Sequence, residues 1–148
     1  MRAAAPYGTG ADGSIIEHVF EEPSPAAPRS GPPGWPSAVP PAGSPGWQVA
    51  AASWLLDLCP SEFRSYPSLR RHLVLLVWLA GHHVDAQLVA LRQAYRTIRV
   101  DLTDRLPEGS VEQAMTDIEL EGVRLRAARR GTQLIAEALE DRRQAEHG

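Results

Sequence analysis

The chain has 148 residues, a formal net charge of −3 and one cysteine. This length suits a single domain with an additional segment. The small negative charge excludes a strong overall attraction to nucleic acid or to an anionic membrane. Because Cys59 is the only cysteine, an internal disulfide and a cysteine zinc cluster are also excluded. We interpret Cys59 as a small buried apolar residue.

Residues 1–43 are rich in proline, glycine and alanine. Such a composition buries too little apolar surface to offset the entropy of ordering the chain, so it predicts a disordered arm. Within the arm, residues 14–22 (SIIEHVFEE) form a short amphipathic pattern. Its apolar face holds four candidate partner-binding residues, Ile15, Ile16, Val19 and Phe20, opposite a set of glutamates. An isolated helix this short is marginal in water, so it needs a surface: a groove on a partner protein, or the chain's own helices.

The motif Pro-Gly-Trp occurs twice, ending at Trp35 and Trp47. Trp47 opens the apolar face of a predicted helix A, over residues 45–58, with Ser44 as its expected N-cap. Trp35 lies in an extended proline-rich stretch and is a further candidate for partner binding. The alternative, which we favour, is that Trp35 packs back onto the helices as a tether.

Two longer helices follow. Apolar residues at alternating spacings of three and four, from Val77 to Leu102, predict helix B over residues 67–106. The same pattern predicts helix C over residues 110–143, with Ser110 and Gln113 as a capping box. The intervening turn is short, so the two helices are expected to form an antiparallel hairpin resembling a coiled coil. A turn centred at residues 108–109 would place Arg96 opposite Glu121.

The predicted fold class is therefore all-α. A long antiparallel helical hairpin over helices B and C is braced by helix A, within a helical domain spanning residues 44–143, and a disordered arm precedes it. The longest apolar run, residues 73–81, is too short to span a bilayer, so we predict no membrane association and a cytoplasmic protein. Three helices leave seams exposed, which favours a homodimer.

Three features of the sequence bear on possible chemistry. His82, His83 and Asp85 suggest a metal site, but the adjacent histidines diverge by about 100° on a helix, and surface histidines are the simpler interpretation. No nucleophile elbow and no phosphate-binding glycine loop is present. We therefore predict no enzyme activity, no metal and no cofactor. The third feature is a basic strip on helices B and C, formed by Arg92, Arg96, Arg99, Arg124 and Arg126.

The basic strip has two interpretations: a docking surface for nucleic acid or an acidic partner, or a solvated face with paired carboxylates. No helix-turn-helix spacing and no interleaved aromatic residues support base recognition, so nucleic acid is the less favoured ligand. The predicted function is a non-enzymatic protein–protein interaction module, an adaptor or small regulatory subunit, whose partner is unknown. The alternative is a nucleic-acid-associated regulator that uses the strip.

The segments PPGWPSAVPPAGSPGW, WLLDLCPSEFRSYPSLRRH and HHVDAQL resemble small uncharacterised helical proteins of Streptomyces and related actinobacteria. The resemblance covers about residues 32–140 and implies no activity or site. The helical-hairpin secretion substrates of actinobacteria are a looser comparison. They carry Trp-Xaa-Gly in the turn between their helices, whereas this chain has LPEGS there.

Overall fold

A computed structural model of the protein describes residues 31–148. It contains helices α1 (Trp47–Asp57), α2 (Pro67–Arg71), α3 (Leu73–Leu102) and α4 (Ser110–His147), with a 3-10 helix at Ser61–Ser65 between α1 and α2. The predicted all-helical fold class is confirmed for this part of the chain. The predicted amphipathic segment at residues 14–22, with Ile15, Ile16, Val19 and Phe20, lies outside the described residues.

Residues 31–43 differ from the predicted arm, because they form turns that pack against the helices. The Trp35 backbone N–H donates to the Pro32 carbonyl at 2.9 Å, and its indole N–H donates to the Val39 carbonyl at 2.9 Å. The Trp35 ring lies 6.1 Å from that of Trp47, centroid to centroid, and Val39 is buried. Composition alone overestimated the disorder, since prolines lower the entropy cost of ordering and one tryptophan supplies a large packing surface. Trp35 makes the contacts expected of a tether.

Helix α1 starts slightly later than predicted. Its N-cap is Gly46 in the left-handed conformation, with φ of 76°, and no side chain caps it. The Ser44 hydroxyl donates to the Pro41 carbonyl instead. A residue without a Cβ adopts a positive φ at little cost, so the glycine of the second Pro-Gly-Trp motif sets the start of the helix.

Predicted helix B is divided into two. His72 has φ −117° and ψ 89°, which ends the five-residue helix α2 and separates it from α3. The break redirects α2 so that Leu69 is buried in the core cluster that includes Leu55 and Leu56. Periodicity did not reveal this break, because the residues around it are apolar on nearly every side. Helix α3 ends at Leu102, four residues before the predicted end.

The start of α4 and its pairing with α3 also differ from the prediction. Gly109, with φ of 83°, is the N-cap, so the capping box is absent and Gln113 donates to Asp117 instead. Glu121 pairs with Arg124 of the same helix rather than with Arg96. The contacts between α3 and α4 include Asp85–Arg129 at 3.0 Å, Tyr95–Glu119 at 2.6 Å and Arg99–Glu112 at 3.8 Å. A pair three residues apart on one helix, such as Glu121–Arg124, needs no particular alignment of α3 with α4.

The core has two parts. The larger cluster joins α1 to the start of α3 and the end of α4, and Leu55, Leu76 and Ile135 are fully buried in it. The smaller cluster contains Val84, Leu88, Leu125 and Ala128, and it is packed against Trp54 of α1 and Leu58, the residue that follows α1. Truncating a fully buried leucine to alanine at such sites costs about 2–5 kcal/mol. Since α1 ends at Asp57, its packing reaches no further along the α3–α4 seam than this smaller cluster.

Candidate partner-binding groove

A groove of about 430 Å³ lies between the second half of α3 and the first half of α4. We call it the α3–α4 groove. None of the described residues that line it belongs to α1. Its floor is apolar and its rim is basic. The floor is formed by Leu88, Leu91 and Ile118, and the rim by Arg92, Arg96 and Arg126, with Tyr95, Glu119, Gly122 and the exposed Val123 completing the lining.

The groove exists because the seam between the helices is incompletely filled. Tyr95 occupies a position of the apolar pattern, but the residue is 37% exposed and its hydroxyl donates to Glu119. Gly122 on the facing helix has no side chain, and the Arg126 guanidinium lies close to it: a Cβ built on Gly122 would be 3.3 Å from Arg126 Nη1. Beside it, Val123 remains 59% exposed. A tyrosine facing a glycine thus leaves space where two aliphatic side chains would interdigitate.

The rim carries uncompensated positive charge. Among residues 31–148, Arg92, Arg96 and Arg126 form no ion pair with a carboxylate. The acidic side chain of the groove, Glu119, accepts the 2.6 Å hydrogen bond from Tyr95. This hydrogen bond and the negative charge of Glu119 raise the pKa of Tyr95 above its ordinary value. The arrangement favours an apolar ligand that also carries negative charge.

The predicted basic strip is divided by the structure. Arg92, Arg96 and Arg126 come together at the α3–α4 groove. Arg99 lies further along α3 and contacts Glu112. Arg124 forms a bidentate pair with Glu121, which lowers the pKa of that carboxyl group. Arg124 also lines a separate cleft beside the end of α1. Spacing along one helix is compatible with the Arg124–Glu121 pair, but it could not bring Arg92 and Arg96 together with Arg126, because that depends on the pairing of α3 with α4.

The histidines considered for metal binding make aromatic contacts. The His82 ring packs edge-on to Trp78, with 4.5 Å between centroids, and His83 packs edge-on to Phe63 at 5.1 Å. Asp85 pairs with Arg129 of α4 at 3.0 Å. The three side chains therefore have separate partners. Cys59 is buried as predicted, and burial raises the pKa of its thiol.

Helix α3 is unusually apolar on its surface. By length and composition it is apolar enough to cross a membrane, and 28% of its most apolar stretch is buried. Val74, Trp78 and Val89 are each more than half exposed. These residues show that α3 has apolar surface that α1 and α4 leave uncovered.

Sequence reasoning missed several groove residues. The apolar spacing assigns Leu88 and Leu91 only to the helix seam and gives no role to Val123 or Gly122, although the absent side chain of Gly122 forms part of the groove. The available signal was a glycine on one helix and a tyrosine on the other, near the same level of the predicted hairpin. Comparison with protein-family models, with curated proteins and with solved structures finds no match for this chain.

Proposed function

We propose that the protein is a non-enzymatic protein–protein interaction module, an adaptor or small regulatory subunit, whose α3–α4 groove binds an amphipathic helix with acidic flanks. One observation carries the proposal: an apolar groove floor is rimmed by Arg92, Arg96 and Arg126, which have no carboxylate partner among the described residues. Helix-in-groove recognition buries the apolar face of the ligand, and the charges at the rim orient it.

The proposed frame for this groove is an antiparallel, coiled-coil-like hairpin of α3 and α4, braced by α1. Its support is the order of the cross-contacts: Asp85 early in α3 meets Arg129 late in α4, whereas Arg99 near the end of α3 meets Glu112 at the start of α4. Side chains of α1 share both core clusters with α3 and α4. We propose a cytoplasmic protein. The exposed apolar surface around Trp78 is consistent with the homodimer that the sequence favours.

A defined peptide tests the proposal. The probe is a fluorescein-labelled helical peptide with leucines at i, i+3, i+4 and i+7 and glutamates on both flanks of this apolar face. We expect its fluorescence anisotropy to rise with the full-length protein. A scrambled peptide of equal composition should bind about tenfold more weakly, corresponding to ~1.4 kcal/mol, because its apolar face is lost. Equal binding of the two peptides would refute a helix-binding groove.

Matched variants locate the binding site. Val123→Asp places a negative charge in the apolar lining of the groove and should weaken peptide binding about tenfold, whereas Val100→Asp, at an exposed valine of α3 outside the groove, should not. Arg96→Glu should also weaken binding, with Arg70→Glu on α2 as its control.

Duplex DNA is the competing ligand. If DNA bound more tightly than the peptide, with an affinity that fell steeply with salt, the nucleic-acid alternative would be favoured.

A further inference from the structure

A second apolar surface lies where the start of α3 meets the end of α4. It lines a cleft of about 530 Å³ between these two helix ends, and we call it the end patch. Its apolar residues are Val74, Val77, Trp78, Ala136 and Leu139. Val74 and Trp78 are 68% and 61% exposed. Because they lie four positions apart on one helix, their side chains are neighbours and form one continuous apolar surface.

The end patch is separate from the α3–α4 groove. The ion pair of Asp85 with Arg129, at 3.0 Å, lies between the two on both helices. The end patch uses earlier residues of α3 and later residues of α4 than this pair, and the groove uses the reverse. Among residues 31–148, α1 contributes nothing to the lining of either surface. The end patch is therefore a surface that a second molecule can cover without filling the groove.

The charged residues of the end patch indicate what covers it. Glu140, Arg142, Arg143 and Glu146 line the same cleft, two of each sign. They are paired along α4, Arg142 with Glu146 at 2.8 Å and Arg143 with Glu140 at 2.7 Å. Together these four residues carry no net charge. Two copies related by a two-fold axis meet through the same surface, so a set of charges of one sign would repel itself, whereas this set lets each arginine approach a glutamate of the other copy.

We infer that the end patch is a homodimer interface, at which a second copy of this chain packs its own end patch against the first. Apolar surface beside balanced charges suits such self-pairing. The same balance gives no attraction to an anionic membrane or to nucleic acid. This inference rests on the homodimer in the proposed function, locates its contact surface, and is independent of what the α3–α4 groove binds.

The surface at this end of the two helices has the size that a dimer needs. At 1.5 Å per residue, α4 from Arg129 to His147 extends about 27 Å, and α3 from Leu73 to Asp85 about 18 Å. With a helix diameter of about 10 Å, their two faces cover about 450 Å² in projection. The accessible area of protruding side chains exceeds this projection, so it is of the order of the ~800 Å² per partner of a standard interface. Trp78 supplies the aromatic anchor that such interfaces favour.

Analytical ultracentrifugation of the full chain tests the interface. The wild-type mass should rise with concentration toward twice the chain mass of 16.1 kDa. Trp78→Asp places a charge in the interface and should weaken self-association at least about tenfold. Its control is Leu120→Asp, at a residue of α4 that is 65% exposed and lines neither the end patch nor the groove, which should dimerise like the wild type. Val74→Asp repeats the test at a second position, and circular dichroism verifies that each variant is folded.

A charge exchange tests the two-fold pairing. Glu140→Arg with Glu146→Arg makes the four charged residues of the patch all basic, and Arg142→Glu with Arg143→Glu makes them all acidic. Each double variant alone should dimerise at least about tenfold more weakly, because its patch repels its own copy. An equimolar mixture of the two variants should associate more tightly than either alone, because the exchanged charges are then complementary.

Three results would overturn the inference: a wild-type chain that is monomeric at about 0.1 mM, Trp78→Asp and Val74→Asp variants that both dimerise like the wild type, or a charge-exchange mixture that associates no better than its components. A monomeric chain that sediments with phosphatidylcholine vesicles would assign the end patch to a membrane surface instead.

Peptide binding distinguishes failure of this inference from failure of the proposed groove function. If the chain is monomeric but binds the acidic amphipathic peptide, only the homodimer is refuted. If the chain dimerises through Trp78 but does not bind the peptide, the groove function is refuted and the dimer interface stands.

Discussion

Two glycines of α4 should respond in opposite directions to the same substitution. Gly131 lies where α1 and residues 31–43 approach α4 most closely: a Cβ there would be 2.8 Å from Cη2 of Trp54 and 2.9 Å from Cγ of Pro36. Both neighbours are rings. Pro36 is buried and Trp54 packs against both core clusters, so neither can move freely. At Gly122, by contrast, the nearest atom is the end of a flexible arginine side chain, at 3.3 Å.

The expected magnitudes follow from these distances. Glycine in a helix interior is about 1 kcal/mol less favourable than alanine, so either substitution gains that amount from helix propensity. At Gly131 the new methyl group must displace two rings by about half an ångström, and such overpacking costs about 1–3 kcal/mol. Gly131→Ala should therefore lower the free energy of unfolding by up to about 2 kcal/mol. Gly122→Ala should raise it by about 0.5–1 kcal/mol, because the arginine can move aside.

Urea and thermal unfolding of the full-length variants measure this difference. For a protein of this size, 1 kcal/mol corresponds to roughly 3–6 °C in Tm, so the two variants should be well separated. Circular dichroism at the helix minima reports the transition for both proteins. If Gly131→Ala stabilised the protein as much as Gly122→Ala does, the close packing of Trp54 and Pro36 on α4 would be refuted.

Three further predictions concern single side chains. Trp35→Phe removes the indole donor to the Val39 carbonyl and should lower the free energy of unfolding by about 1 kcal/mol, measured in urea; an unchanged midpoint would argue against the tether. Cys59 should react with iodoacetamide far more slowly in the native protein than in urea, because burial raises the pKa of its thiol. Tyr95 should form phenolate at a higher pH than an ordinary tyrosine, because it donates to Glu119. The stabilisation of the folded protein by this hydrogen bond is therefore complete below pH ~10 and is lost as the pH rises through the folded-state pKa of Tyr95. In an absorbance titration of the tyrosines, Tyr95→Phe should abolish the phenolate signal that appears at the highest pH.

Residues 31–43 show why composition can mislead. Proline and glycine content predicted disorder up to residue 43, but Trp35, Pro36 and Val39 pack on the helices. A composition rule averages over a window, whereas one indole ring that fits beside Trp47 can anchor a whole turn. The start of α1 shows the same effect, because one positive φ at Gly46 placed it rather than the cap at Ser44.

Local periodicity determined the helical fold class and the residues that face the seam. Alternating spacings of three and four are a property of the chain itself, and Val77, Val84, Leu125 and Ile135 are buried where the pattern placed them. Only the tertiary structure brought Arg92, Arg96 and Arg126 to one groove and Arg99 to Glu112, because contacts between helices depend on how those helices are aligned. The Arg124–Glu121 pair differs, since its two residues lie three positions apart on one helix. The groove itself is a gap between side chains of two helices, so it has no signature in either helix alone.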